Sequence, residues 1–258
     1  MFNYFIYWYK SISTINLYYS FVKEKIKKSD IKKLFLGLAV VSAVALTSCG
    51  GKTETKAATE AQEGATSTEG AAEYAVDTTA SVVNWKGGKT FDDINKPEEG
   101  HYGVVKLKEG SVKVHDGVLE SGKFVADFAS FESKDLDADA ESKGKLDGHL
   151  KSADFLDVEK FPTATFEITG VKALEGGDYN SEISGNLDFR GVPKNVTFKA
   201  NVTVDANGVT IKSEEFGINR KDFGIAFVGA GGSIIKDEVL LQVDLSAKPA
   251  AATEEAAK

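Results

Sequence analysis

Apolar and polar side chains alternate with a period of two through most of residues 74–246. Phe124, Ala126 and Phe128 alternate with Val125, Asp127 and Ala129. Ala164, Phe166 and Ile168 alternate with Thr165, Glu167 and Thr169. Ile183, Gly185, Leu187 and Phe189 share one face of a segment whose other face carries Glu182, Ser184, Asn186 and Asp188. Val196, Phe198, Ala200, Val202 and Val204 repeat the pattern, as do Val239, Leu241, Val243 and Leu245. Such alternation marks strands with one dry and one wet face. His115-Asp116-Gly117, Gly176-Gly177-Asp178 and Asp205-Ala206-Asn207-Gly208 separate the runs with residues that tolerate positive φ. The predicted strands are 75–86, 101–107, 111–115, 117–130, 163–173, 182–189, 195–204 paired with 208–217, and 237–246. Short connections make neighbours antiparallel. A one-sided pattern over about eight strands predicts an all-β, closed antiparallel barrel, because closure removes exposed edges.

Residues 144–162 lack the period of two. Ser152 is placed to cap a short helix through Ala153–Asp157, and Pro162 ends that insertion. A barrel of this size is either filled by side chains or holds one small ligand. The predicted inward set is large and apolar: Trp85, Phe124, Phe128, Phe166, Leu187, Phe189 and Phe198. Periodicity alone does not separate a packed core from a cavity.

The N-terminal region is a different physical system. Residues 1–48 carry a net charge of +5 and the remaining 210 a net of −13. Lys32-Lys33 precede a 13-residue apolar run, Leu34–Leu46. As a helix that run spans about 20 Å, short of a ~30 Å hydrocarbon core. It has the order of a secretory signal. Leu46-Thr47-Ser48-Cys49 resembles the lipobox of bacterial lipoproteins, which implies cleavage before Cys49 and acylation of its thiol. Residues 1–30 are too long and too aromatic for a signal n-region. A true start near Ile31 is the expectation for them, with a genuine long n-region as the alternative.

The predicted organisation is 1–48 signal region, 49–73 lipidated Cys49 and flexible linker, 74–246 barrel and 247–258 disordered tail. Thr, Glu, Ala, Gly and Lys fill residues 50–73, a composition that buries too little surface to offset ordering entropy.

Charge and composition narrow the chemistry. A net of −8 argues against a nucleic-acid partner. One Cys excludes an internal disulfide framework, and three His (His101, His115, His149) make a His-rich metal centre a poor expectation. Asp135, Asp137, Asp139 and Glu141 resemble the opening of a calcium loop, but the sixth and twelfth positions are Ala140 and Leu146, so a solvated acidic loop is expected. His149 lies beside Asp147 with no nucleophile-elbow Ser or Cys, which gives no catalytic centre and leaves a hydrogen-bonded His ordering 144–162. Arg190 and Arg220 are candidate head-group ligands for a diphosphate or quinone. The competing and preferred reading pairs each with an acid such as Asp188 or Asp222.

Four segments carry a family resemblance. They are Leu146-Asp147-Gly148-His149-Leu150-Lys151-Ser152-Ala153-Asp154-Phe155 running on to Phe166, Gly185 through Lys194, Ile218-Asn219-Arg220-Lys221-Asp222-Phe223-Gly224, and the opening Tyr74-Ala75-Val76-Asp77. In this order they resemble the YceI-like family of bacterial periplasmic or secreted proteins over about residues 74–246. The resemblance implies a lipocalin-like barrel, a long isoprenoid lipid (quinone or polyprenyl type) as ligand, no cofactor and no catalytic centre. Leu156 and Asp188 depart from residues common in that family. The expected protein is a membrane-anchored envelope lipoprotein that binds, carries or sequesters such a lipid, with a homodimer left open. The alternative is a packed barrel that serves as an envelope interaction module.

Overall fold

A computed structural model describes residues 57–250. Residues 1–56, with the expected signal region and Cys49, and residues 251–258 lie outside the described residues. Twelve strands are present: β1 Thr59–Glu60, β2 Ala72–Val76, β3 Val82–Phe91, β4 Glu99–His115, β5 Val118–Ser133, β6 Thr163–Ala173, β7 Ser181–Phe189, β8 Val192–Asp205, β9 Gly208–Ser213, β10 Phe216–Asn219, β11 Ser233–Ile235 and β12 Glu238–Pro249. Among the described residues one α-helix, α1, spans Ala140–Lys151.

The strands close on themselves. β4, β5, β6, β7, β8 and β9 pair in sequence order, β9 pairs with β12, and β12 returns to β4 through β2 and β3. β2 and β3 share one position of the ring, interrupted at residues 77–81. The result is an eight-stranded antiparallel barrel. The β4–β5 turn has Asp116 at φ 49° and Gly117 at φ 77°, the pair of positive φ values that a two-residue hairpin needs.

Two features of period broke the sequence reading. Residues 101–107 and 111–115 are one strand, because bulges in the β4–β5 ladder keep its pairing continuous. Residues 214–217 leave β9, and Phe216–Asn219 pairs with β12 as its own strand. The helix also lies elsewhere. Asp139 caps α1 through Ser142 N at 3.0 Å, so the acidic run ends in a helix N-terminus. Ser152 closes the C-terminal end, its N–H donating to His149 O, and residues 153–156 are turn.

Part of the expected linker is ordered. Thr59 and Glu60 pair with Asn195 and Lys194. Ala65 N donates to Ile168 O at 2.9 Å, and Thr68 N and Oγ1 bond the Glu120 carboxylate. Residues 57–71 therefore cross the outer faces of β8, β7, β6 and β5 as a strap. Short side chains let the backbone lie close, and its hydrogen bonds hold it together with Ala58 and Ala65, which pack against the core. At the other terminus β12 continues to Pro249 against β2, so 247–249 are strand and not tail.

One end of the barrel is packed solid. Val112, Val114, Leu119, Ala200, Val209, Leu245 and Ala247 are all buried there, beside the turns at 116–117 and 206–207. The other end carries the β3–β4 hairpin, α1, the β7–β8 turn and residues 220–237.

Candidate functional site: an apolar cavity

A cavity of about 420 Å³ opens toward the second end. All seven side chains expected to point inward line it: Trp85 from β3, Phe124 and Phe128 from β5, Phe166 from β6, Leu187 and Phe189 from β7, and Phe198 from β8. Their rings form connected rows. Phe124 meets Phe166 at 6.3 Å between centroids, Phe166 meets Phe198 at 5.6 Å, and Phe198 stacks on Phe216 at 4.5 Å. Phe128 meets Phe189 edge-on at 5.7 Å. Such offset and edge contacts suit ring quadrupoles.

Glycines hollow the wall. A β-carbon on Gly185 would stand 2.6 Å from Phe166 Cε1, and one on Gly103 would stand 2.7 Å from Trp85 Cζ2. Each glycine lets a large ring lie against the wall instead of filling the centre.

Phe131 joins the lining, stacked on Trp85 at 4.7 Å. The sequence pattern misses it because a bulge shifts the β5 register. Ser130 Oγ donates to Asp127 O at 2.6 Å and accepts from Lys106 N at 2.8 Å, and two residues instead of one then lie between the inward Phe128 and Phe131. At the mouth His149, Phe155 and Phe227 form a ring cluster with centroids 5.1–5.3 Å apart. Phe155 and Phe227 lie on irregular segments, where no periodicity marks them.

The polar candidates have structural partners. Arg190 is not among the lining residues; it donates to Phe155 O at 2.5 Å and lies 4.0 Å from Asp157. Arg220 borders the cavity, but its guanidinium donates to Lys236 O, Ile225 O, Ile235 O and Asp237 Oδ1. The acids involved are thus Asp157 and Asp237, not Asp188 and Asp222. The hydrogen bond from the Lys221 ammonium acts most strongly on Asp237; burial opposes it, and the Lys221 and Arg220 charges add to it, so the carboxyl lies below the usual carboxylate range. Lys89 and Lys236, also at the mouth, are paired with Glu99 and Glu98.

His149 pairs with Asp154 at 3.1 Å, whereas Asp147 accepts from Ser133 N at 2.8 Å. The expected His149–Asp147 neighbourhood is therefore absent: residues two apart on a helix point in different directions. His101 lies within β4 and not in a turn, with Nδ1 2.7 Å from Asp135 Oδ2. The acidic run divides its work: Asp135 binds His101, Asp137 binds Lys143, and Asp139 caps α1. Among the described residues no group of three or more His, Cys, Asp or Glu could hold a metal ion. None of their helices is long and apolar enough to cross a membrane, which says nothing of strands.

Trp85 Nε1 and Ser133 Oγ are buried without a hydrogen-bond partner. Both flank Gly103 in one row of the sheet.

A family model described as the YceI-like domain matches residues 74–247. A UPF0312 protein of Azotobacter vinelandii is 31% identical over 160 residues, 56% of this chain and 79% of the relative. A UPF0312 protein of Pseudomonas paraeruginosa is 45% identical over 92 residues, 31% of this chain and 46% of the relative. The chain thus spans just under half the length of that Pseudomonas protein. Among solved structures, a polyisoprenoid binding domain from Saccharophagus degradans aligns with 16% identity and a TM-score of 0.45, covering 69% of this chain and 98% of that one.

Proposed function

The chain belongs to the YceI-like domain family, and from that premise we propose that its barrel binds a long isoprenoid lipid in the cavity and carries or stores it at the bacterial envelope. The observation that supports this most is the aromatic-lined, one-ended cavity of about 420 Å³. Its size lies within the ~300–1,000 Å³ typical of ligand pockets. Its charged groups are confined to the mouth, so the interior offers water little and an apolar chain much. Binding, not catalysis, is what such a lining can do.

Chain length sets affinity. At ~0.3 kcal/mol per heavy atom, about twenty carbons give ~6 kcal/mol and about forty give ~12. Those correspond to a Kd of tens of micromolar and of a few nanomolar. A quinone or polyprenyl type of ligand fits the proposal. Acylation of Cys49, following its lipobox-like setting, would hold the barrel at a membrane surface.

The test is direct. The chain with Cys49→Ser, which keeps chain-borne acyl groups out of the sample, is purified from a bacterial host without detergent. Organic extracts are then analysed by mass spectrometry. A stoichiometric isoprenoid supports the proposal. A clean extract, with no uptake of added menaquinone or polyprenyl lipid, sinks it and favours a barrel that acts as an interaction module.

A further inference from the structure

We propose that the mouth end of the barrel docks on a lipid bilayer, with Ile94, Val228 and Ile234 seated in the interface, so that the cavity opens into the membrane. This rests on the lipid-binding, Cys49-anchored reading above. Five large apolar side chains are exposed among the described residues: Ile94, Tyr102, Val118, Val228 and Ile234. Isolated exposed apolar residues are ordinary, but four of these five belong to one end. Ile94, 94% exposed, lies in the β3–β4 connection, beyond the Lys89–Glu99 pair. β11 pairs with β3, placing Ile234 opposite Thr90. Ile235 N donates to Val228 O at 3.0 Å, which holds Val228 beside the same strand. Tyr102 faces outward from β4 opposite Lys86, the kind of amphipathic ring that favours a membrane interface.

The same segments frame the opening. Gly87, Gly88 and Lys89 of β3 and Phe227, Ser233 and Ile235 of the 225–236 stretch line the cavity. An isoprenoid entering there from solution would have to leave the membrane first and cross water with its whole apolar surface exposed. Entry from a docked bilayer removes that barrier.

The ordered strap supplies the occupant. Thr59 is paired to Asn195, four residues from Gly191 in the mouth-end turn. Only seven residues lie between Cys49 and Ala57, so the eight steps of chain reach at most about 28 Å. An acyl-anchored Cys49 therefore keeps this barrel within that distance of its own membrane, where even weak docking is favoured by effective concentration. Charge selects the type of surface. Lys86, Lys89 and Lys236 are paired with Glu215, Glu99 and Glu98, and Asp92 and Asp93 immediately precede Ile94. The rim has no excess positive charge for anionic head groups, so insertion into a zwitterionic bilayer is the expected mode.

Full-length protein with Cys49→Ser, given a single labelling site by Ile94→Cys or Val118→Cys, tests this. Each is coupled to an environment-sensitive fluorophore and mixed with phosphatidylcholine vesicles containing a spin-labelled quencher lipid. The probe at position 94 is expected to shift blue and be quenched several-fold more than the probe at 118. A watery signal at 94, or equal insertion at both ends, overturns the proposal, even if the N-terminal segment brings the protein to the vesicles. A concentration-dependent blue shift at 94 without vesicles overturns it in favour of a second copy of the chain. Isoprenoid uptake measured in parallel separates the two readings. Insertion at 94 without uptake keeps the docking surface and removes the lipid-carrying function. Uptake with a watery probe does the reverse.

Discussion

Phe166 occupies the space that a side chain on Gly185 would need: a β-carbon there would lie 2.6 Å from Cε1 and 2.7 Å from Cε2 of its ring. The two residues sit on adjacent strands, Phe166 opposite Leu187 and Gly185 opposite Ile168. Gly185→Ala must push the ring toward the centre of the barrel. Overpacking of this kind costs ~1–3 kcal/mol, or a fall in Tm of roughly 2–4 °C per kcal/mol for a domain of this size. Thermal unfolding measures the cost, and isoprenoid uptake measures the lost volume. A variant unchanged in both would show that Phe166 does not define the wall.

Arg220 holds the mouth segments together from inside. It is 2% exposed, and its donors reach carbonyls at residues 225, 235 and 236. Leaving a buried carbonyl without its donor costs ~1–3 kcal/mol, while Asp237, 43% exposed, keeps Lys221 as its partner. Arg220→Met should lower the urea midpoint accordingly and expose residues 225–236 to protease. Arg220→Lys should rescue little, because one ammonium cannot reproduce the planar fork. Recovery by lysine would mean that charge alone matters at this position.

The barrel and its lining were legible in the sequence wherever period two ran unbroken. Phe124, Phe166, Leu187 and Phe198 follow from alternation, and each lines the cavity. Phe131 was not legible, because the side-chain hydrogen bonds of Ser130 create a bulge that only the neighbouring strand reveals. Phe155 and Phe227 meet only in three dimensions. The strap was hidden by composition: residues poor in apolar bulk read as free chain, yet the backbones of Gln62 and Ala65 find fixed partners on the wall, the Asn186 side chain and the Ile168 carbonyl. Hollowness depended on Gly103 and Gly185, and a glycine in a strand does not announce which ring will lie over it.

Stability should fall in acid partly through Asp135. Burial alone would raise its pKa, but hydrogen bonds from His101 and from the Tyr102 N–H outweigh burial and lower it. A carboxylate with a lowered folded-state pKa stabilises the fold above its unfolded value of ~3.9. That contribution is lost as pH falls through the folded value. Glu132, held low by Lys134 and Lys143, acts in the same direction. Denaturation midpoints should therefore decline from about pH 5 downward, and Asp135→Asn should flatten that decline while lowering stability at pH 7. A slope unaltered by the substitution would place the acid sensitivity elsewhere.

Asn186 fastens the strap. Its Nδ2 donates to Gln62 O at 2.6 Å while its Oδ1 accepts from Gln62 N at 2.9 Å, a side chain standing in for a strand partner. The same Oδ1 accepts from Asn195 Nδ2 at 3.1 Å, and Asn195 is 4% exposed. Asn186→Ala removes both bonds to the strap and leaves Asn195 with Thr169 alone. At ~0.5–1.5 kcal/mol per bond, the loss should release residues 57–71 while the barrel remains folded. Hydrogen exchange and limited proteolysis should then show early cleavage between Ala57 and Ala71, with β6 and β7 still protected. Asn186→Asp keeps the acceptor and loses the donor, so it should fall between the two. Release also moves the first held residue from Ala57 to Ala72, so the chain between it and Cys49 grows from seven residues to twenty-two. A strap that stays protected in Asn186→Ala would show that β1 pairing and the Thr68–Glu120 bonds suffice to hold it.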